Sequence, residues 1–172
     1  MNATAPTLFA CLTPPGAAAI ATLAVRGPGA WKAVRALFRP RFSASALPDE
    51  PQPGRFWLGR LGADLADEVI VAVKRGGPAP WVEIHCHGGR EVLRLLQSAL
   101  EGQGATRCDW QELERRTADD PLPARALAAL AEAKTVRTAA ILLDQYHGAF
   151  RRAVEAIQTA LARGDEGEAA RG

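Results

Sequence analysis

Residues 81–89 read Trp-Val-Glu-Ile-His-Cys-His-Gly-Gly and run directly into residues 90–102, where apolar side chains recur at helical spacing. The first seven residues alternate between apolar and polar side chains, as in a half-buried strand. The polar face of that strand carries Glu83, His85 and His87. Gly88 and Gly89 then allow the sharp turn that a strand needs before a helix. The stretch therefore predicts a strand, a turn and a helix, with titratable side chains aligned beside the helix N-terminus.

The composition indicates a folded protein and excludes several classes. The 172 residues are 48% hydrophobic and 23% charged, and the net charge of +2 is too small to favour direct nucleic-acid binding. The three cysteines are odd in number and unpatterned, which favours a reduced, cytoplasmic setting over a disulfide framework. No secretory signal and no membrane-spanning stretch is recognisable, so we expect no membrane partner.

Local patterns predict the remaining elements of the first two thirds of the chain. Strands are expected at 7–13, 20–25, 55–61, 69–73 and 104–108. Helices are expected at 30–38, 110–117 and 124–133, and the proline-rich residues 39–54 are expected to form a loop. Whether the first two strands pair directly or have a neighbour between them is left open by the sequence.

A heptad pattern marks the last segment. Apolar or small residues recur at alternating intervals of four and three residues, and a histidine is the one polar residue in this series. They are Val136, Ala140, Leu143, His147, Phe150, Val154, Ile157 and Leu161. Thr135 is a candidate cap for the start and Gly164 for the end. The pattern predicts one long helix over 134–163, with a frayed polar tail after it.

Such a helix needs a surface to cover its apolar stripe. About 28 residues at 1.5 Å per residue span ~42 Å, more than a compact α/β core covers. We therefore expect self-association or a bound partner. The alternative is that the helix folds back over the sheet.

Four motifs resemble the N-terminal part of the MnmE (TrmE) tRNA-modification GTPases. They are Leu-Thr-Pro-Pro-Gly at 12–16, Asp-Glu-Val at 67–69, Val-Glu-Ile-His-Cys-His-Gly-Gly at 82–89, and Ala-Lys-Thr at 133–135 with Gly-Ala-Phe at 148–150. The resemblance covers residues 7–160, and the motif at 82–89 is specific. It implies an α+β domain with a mixed β-sheet, akin to the folate-binding domain of the glycine-cleavage T-protein. We expect this domain at 1–117, a helical extension at 118–164 and a disordered tail at 165–172.

The resemblance also implies a function. Members of the family dimerise, bind 5-formyl- or 5,10-methylene-tetrahydrofolate and, with a flavoprotein partner, modify the wobble uridine of certain tRNAs. Glu83 is the folate-contacting residue that matches in place, and a carboxylate suits the paired donors of a pterin. The other candidate ligand-binding residues are Arg26, His85, His87, Gly88 and Gly89.

Each candidate also has a plainer interpretation. Glu83 could simply face solvent or pair with Arg26. Gly88 and Gly89 either hold an anion at the helix N-terminus or form only the turn. His85 and His87 supply two ligands where zinc needs three or four, so no metal site is expected.

Departures from the family pattern set the limits of the prediction. No G-x-x-x-x-G-K-S/T motif occurs in the 172 residues, the C-terminal cysteine motif is absent and the acidic loop before the central strand is shortened. The family's arginine on the second strand aligns with Ala24, although Arg26 shares that strand face. The family's lysine falls in the region shortened to 118–121. No catalytic residue is expected in the chain on its own.

Three functions remain open on the sequence. The first is a free-standing dimeric module that binds a reduced folate. The second is an interaction or scaffold protein that has lost the ligand. The third is a subunit that completes a split enzyme with a separate GTPase.

Overall fold

The segment with alternating polarity lies at the centre of a β-sheet. The structure, a computed structural model, describes residues 5–16, 18–42, 46–62 and 66–163, and over these residues the chain forms seven strands and six helices. The strands are β1 (Leu8–Cys11), β2 (Ile20–Arg26), β3 (Phe38–Pro40), β4 (Phe56–Gly62), β5 (Ala66–Arg75), β6 (Trp81–His87) and β7 (Thr106–Arg107). The helices are α1 (Ala30–Leu37), α2 (Arg90–Gly102), α3 (Trp110–Thr117), α4 (Pro121–Ala131), α5 (Val136–Tyr146) and α6 (Ala149–Ala162).

The sheet is mixed, as the α+β prediction requires. Its strand order is β3-β4-β5-β6-β2-β1-β7, and every neighbouring pair is antiparallel except the parallel pair of β1 and β7. The question that the sequence left open is answered, because β1 pairs directly with β2, and β2 pairs on its other edge with β6.

The two faces of the sheet are covered differently. Apolar side chains of α1 and α2 pack on one face and form the main core, which includes Val34, Leu96, Leu100, Leu23 and Ile84. On the other face, Leu113 packs against Leu8, Ala10 and Ala24, over the β1 and β2 strands. Phe56 and Ile70, on β4 and β5, remain 70% and 40% exposed. The second face is therefore partly open beside the central strand.

One short strand was missed. Residues 38–40 form β3 at the sheet edge, where the sequence predicted a helix end and a loop. The loop prediction rested on the prolines of residues 39–54, of which Pro40 lies in β3 and has no N–H to donate to a ladder. An edge strand tolerates proline because one side of its backbone faces away from the sheet.

The prediction of one long C-terminal helix is wrong. The segment forms α5 and α6, which are separated at Gly148, and that glycine adopts a left-handed conformation with φ +83°. A heptad pattern reports only which residues are apolar, so it continues through a glycine that turns the backbone. The predicted cap at Thr135 is confirmed, since its hydroxyl accepts a hydrogen bond from the Thr138 N–H at 3.1 Å. Gly164 and the tail at 165–172 lie outside the described residues.

Contacts divide the chain into two units, Met1–Leu113 and Glu114–Gly172. The boundaries at 117 and 164 stay predictions. Within the second unit, Asp120 caps α4 by accepting a hydrogen bond from the Leu122 N–H at 3.0 Å, so this helix begins at Pro121, three residues before its predicted start at 124. None of the helices in the described ranges combines the length and apolar character needed to cross a membrane.

Candidate functional site

The polar face of β6 forms as its alternation predicts. Val82, Ile84 and Cys86 are buried against the helices, whereas Glu83 and His85 are partly exposed on the opposite face and His87 is exposed. The three polar side chains therefore lie on the sheet face that the helices α1 and α2 leave uncovered.

The strand registers place Glu83 in a row of residues that crosses five strands. The residues directly opposite one another, from β4 to β1, are Phe56, Ala72, Glu83, Ala24 and Ala10. Small side chains thus flank Glu83 on both neighbouring strands. The next row on the same face of the sheet places Ile70 opposite His85. We call the surface formed by Phe56, Ile70, Ala72, Glu83 and His85 the Glu83 face.

Two cationic or proton-bearing groups lie beside the Glu83 carboxylate. The Glu83 side chain is 13% exposed, and its Oε2 lies 4.0 Å from Lys74 Nζ and 3.6 Å from His85 Nε2. The other ring nitrogen of His85, Nδ1, is hydrogen-bonded at 3.0 Å to the hydroxyl of Thr22. Thr22 therefore holds the His85 ring in place, and the ring in turn borders the carboxylate.

His87 has a structural partner at the end of the strand. Its backbone N–H donates a hydrogen bond to Asp67 Oδ2 at 3.0 Å, and its Nδ1 lies 2.8 Å from Asp67 Oδ1. Asp67 belongs to the Asp-Glu-Val motif at 67–69. This motif therefore joins the start of β5 to the end of β6.

Gly88 is required by a close backbone approach. A Cβ at this position would lie 2.1 Å from the carbonyl oxygen of Ala18, and the Gly88 N–H donates a hydrogen bond to Ala19 at 3.2 Å. Gly89 precedes α2, and its carbonyl accepts the hydrogen bond of the Leu93 N–H at 3.0 Å. These contacts support the interpretation of the two glycines as a turn.

Arg26 is buried on the same sheet face as Glu83, and its strand position is two residue pairs away from that of Glu83. It is 3% exposed, lies opposite Trp81, and its guanidinium carbon is 3.7 Å from the centre of the Trp81 ring. Ala24, where the family pattern has an arginine, is fully buried against Leu113. The structure thus brings Glu83 and His85 together, with Arg26 towards the start of β6, opposite Trp81, and His87 and the glycines at its end.

Three neighbours of Glu83 were not identified from the sequence. Lys74 lies on the same face because it follows Ala72, the residue opposite Glu83, by two positions on β5, next to an irregularity in the pairing between Val73 and Arg75. Thr22 and Phe56 reach this surface through strand pairings that lie far apart in sequence. The alternation in each strand was visible, but it does not reveal which strands are neighbours.

The cysteine beside the polar residues is held in its neutral form. The pKa of the Cys86 thiol is raised from 9.0 to about 11, mainly because the thiol is buried. The charges of Asp67 and Cys11 raise this pKa further. A thiol of this kind is a poor nucleophile near neutral pH. Within the described ranges, no three histidine, cysteine or acidic side chains are grouped so as to hold a metal ion.

Comparisons with known proteins agree with this fold. Residues 7–118 match the family described as GTP-binding protein TrmE N-terminus. Similar curated proteins are the tRNA modification GTPases MnmE of Thermotoga maritima (31% identical, over 90% of this chain and 35% of the relative) and of Nitratidesulfovibrio vulgaris (32% identical, over 90% and 37%). That of Phenylobacterium zucineum is 31% identical over 83% of this chain and 32% of its own length.

The chain spans about a third of the length of the curated relatives that it matches. The family match covers the whole sheet, the polar strand β6 and the helices α1 and α2 that pack on the sheet. The chain therefore belongs to the family of the TrmE N-terminal domain, the N-terminal part of the tRNA modification GTPases MnmE.

Proposed function

We propose that this chain is a binding module that holds a reduced folate, 5-formyl- or 5,10-methylene-tetrahydrofolate, against the Glu83 face. The observation that carries the proposal is the position of Glu83, whose carboxylate lies between Ala72 and Ala24 on the sheet face that α1 and α2 leave uncovered. Since both neighbours end at Cβ, neither extends past the carboxylate. A flat ring can therefore approach it from the side of Ala72, which is partly exposed, whereas Leu113 covers Ala24 on the other side.

The chemistry of a pterin suits this surface. Its amino group and ring N–H present two parallel donors, and a carboxylate can accept both. Phe56 and Ile70, which are 70% and 40% exposed, supply apolar surface on the adjoining strands. Lys74 and His85, whose nitrogens lie 4.0 Å and 3.6 Å from Glu83 Oε2, offer further polar groups next to the carboxylate.

The module acts, in this proposal, as a homodimer in tRNA wobble-uridine modification in the cytoplasm. The relatives' name, tRNA modification GTPase, supports the process. A GTPase and a wobble-uridine-modifying flavoprotein are the partners that the chemistry would need. Exposed apolar side chains on α5 and α6, among them Val136 at 89% and Phe150 at 56% exposure, support self-association.

A second candidate is an interaction or scaffold protein that has lost folate binding. One observation favours it. Ala24 lies directly opposite Glu83 and is fully buried under Leu113, so an apolar contact occupies the place where the family pattern has an arginine. A ligand anchored by Glu83 would have to bind without that guanidinium.

Isothermal titration with 5-formyl-tetrahydrofolate separates the two candidates. The folate module predicts micromolar binding, about −8 kcal/mol, that Glu83→Ala abolishes. Glu101→Ala is the matched control, because it removes an exposed glutamate from α2, which packs on the other side of the sheet. Absence of heat with the unmodified chain would exclude the folate module and support the scaffold role.

A further inference from the structure

A concave surface lies on the helix side of the sheet. It is a cleft of about 920 Å³ between the start of α2, the loop after β1 and the segment after β7. Ala21, Leu93, Arg90, Gln97, Arg107 and Trp110 are among the residues that line it. Ala21 and Leu93 belong to the core on the helix face, whereas Glu83 points to the opposite face. The cleft is therefore separate from the Glu83 face, and its size is that of small-molecule sites.

A buried amide without a partner points into this cleft. Gln97 is 9% exposed and lies four residues after Leu93, on the stripe of α2 that also carries Leu96 and Leu100. Its amide makes no hydrogen bond to another described residue, and its polar atoms are not sealed off from solvent but reach the cleft. A ligand in the cleft can therefore form hydrogen bonds with both the oxygen and the nitrogen of this amide.

The rim of the cleft carries an excess of positive charge. Arg90 and Arg107 have no ion-pair partner among the residues that the structure describes, whereas Arg94 is paired with Glu91 at 2.8 Å. Asp109, also on the rim, accepts a hydrogen bond from the Glu112 N–H at 2.6 Å. Two guanidinium groups therefore remain available for a phosphate or carboxylate, close to the first N–H groups of α2.

An aromatic wall completes the site. Trp110 is partly buried and lines the cleft together with apolar side chains of β1, β2 and α2. An indole stacks readily on a flat heterocycle, and an amide such as that of Gln97 matches the donor–acceptor edge of a nucleobase. We propose that the cleft binds a small heteroaromatic anion of the nucleoside monophosphate type, with its ring near Trp110 and Gln97 and its anionic group near Arg90 and Arg107. This proposal is independent of folate binding.

The test is titration of the full chain with AMP and with UMP, with adenosine and inorganic phosphate as separate probes. We expect at least one nucleotide to bind with Kd below about 1 mM and more tightly than adenosine or phosphate alone. Gln97→Leu and Arg107→Ala should each weaken that binding about tenfold. Arg55→Ala, at an exposed arginine outside the cleft, and Glu83→Ala should leave it unchanged.

Gln97→Leu also reports on the fold, because it replaces the buried amide by an apolar group of similar size. Its resistance to urea should equal or exceed that of the unmodified chain, so weaker binding cannot be attributed to unfolding. The proposal is overturned if neither nucleotide binds, if phosphate alone binds as well as the nucleotides, or if binding survives both cleft variants.

Discussion

The Asp67 carboxylate accepts a hydrogen bond from the backbone N–H of His87 at 3.0 Å and lies 2.8 Å from Nδ1 of the same residue. These two contacts join β5 to the end of the central strand. Asp67→Ala should therefore lower the free energy of unfolding by about 1–2 kcal/mol, measured by urea denaturation. Asp67→Asn keeps one acceptor oxygen and should lose less. Unchanged stability of Asp67→Ala would contradict a stabilising role of these contacts.

Gly88 and Gly89 provide a matched pair of variants. Gly88→Ala places a Cβ against the Ala18 carbonyl at 2.1 Å and should cost about 2–3 kcal/mol of stability, because backbone must move. Gly89→Ala meets nothing closer than Val92 at 3.8 Å and should cost no more than about 1 kcal/mol. Thermal unfolding of both proteins measures the difference. If Gly88→Ala is as stable as Gly89→Ala, the close approach is not a constraint.

The thiol of Cys86 should make stability fall at alkaline pH. Its pKa is raised from 9.0 to about 11, mainly by burial. As the pH rises above 9, the unfolded chain releases this proton first, so the folded state loses relative stability until about pH 11. After allowance for partial screening by water, the loss is about 1–2 kcal/mol.

Comparison with Cys86→Ala isolates this effect from other titrating groups. The stability difference between the unmodified chain and the variant should shrink between about pH 8 and about pH 10.5. Urea denaturation at the two pH values measures it. If the difference in the free energy of unfolding between the two proteins is the same at both pH values, the raised pKa of the Cys86 thiol does not affect stability.

Phe150 tests the proposed self-association. It is 56% exposed at the start of α6, and Phe150→Asp would introduce a charge into an apolar contact between copies. We expect sedimentation velocity to show dimers of the unmodified chain and monomers of the variant. Gln158→Asp, at an exposed polar position of the same helix, should remain dimeric. Identical sedimentation of all three proteins would contradict association through this surface.

Local signals explain how much of this structure is predictable. The strand, turn and helix at 81–102 follow from alternation, two glycines and a helical period, all within one stretch, and each is confirmed. The surroundings of Glu83 depend on which strands are neighbours and on the register that places Ala72 of β5 opposite Glu83. No local pattern encodes either feature.

The same limit accounts for the errors. The heptad pattern ran through Gly148, whose left-handed backbone separates α5 from α6. Gln97 is polar, and only its position on the buried stripe of α2 could have indicated that it is enclosed. Periodicity thus assigns residues to faces, but it does not determine where a helix ends or what a polar residue on an apolar face contacts.

The most direct test of the account is chemical-shift mapping of the ¹⁵N-labelled chain during titration with 5-formyl-tetrahydrofolate. If Glu83 anchors the ligand, amide signals of β6 residues 81–87 and of the facing residues 70–74 will shift, and Glu83→Ala will remove those shifts. The α2 signals should stay in place. Absence of any shift, or shifts confined to the α2 cleft, would contradict folate binding at the Glu83 face.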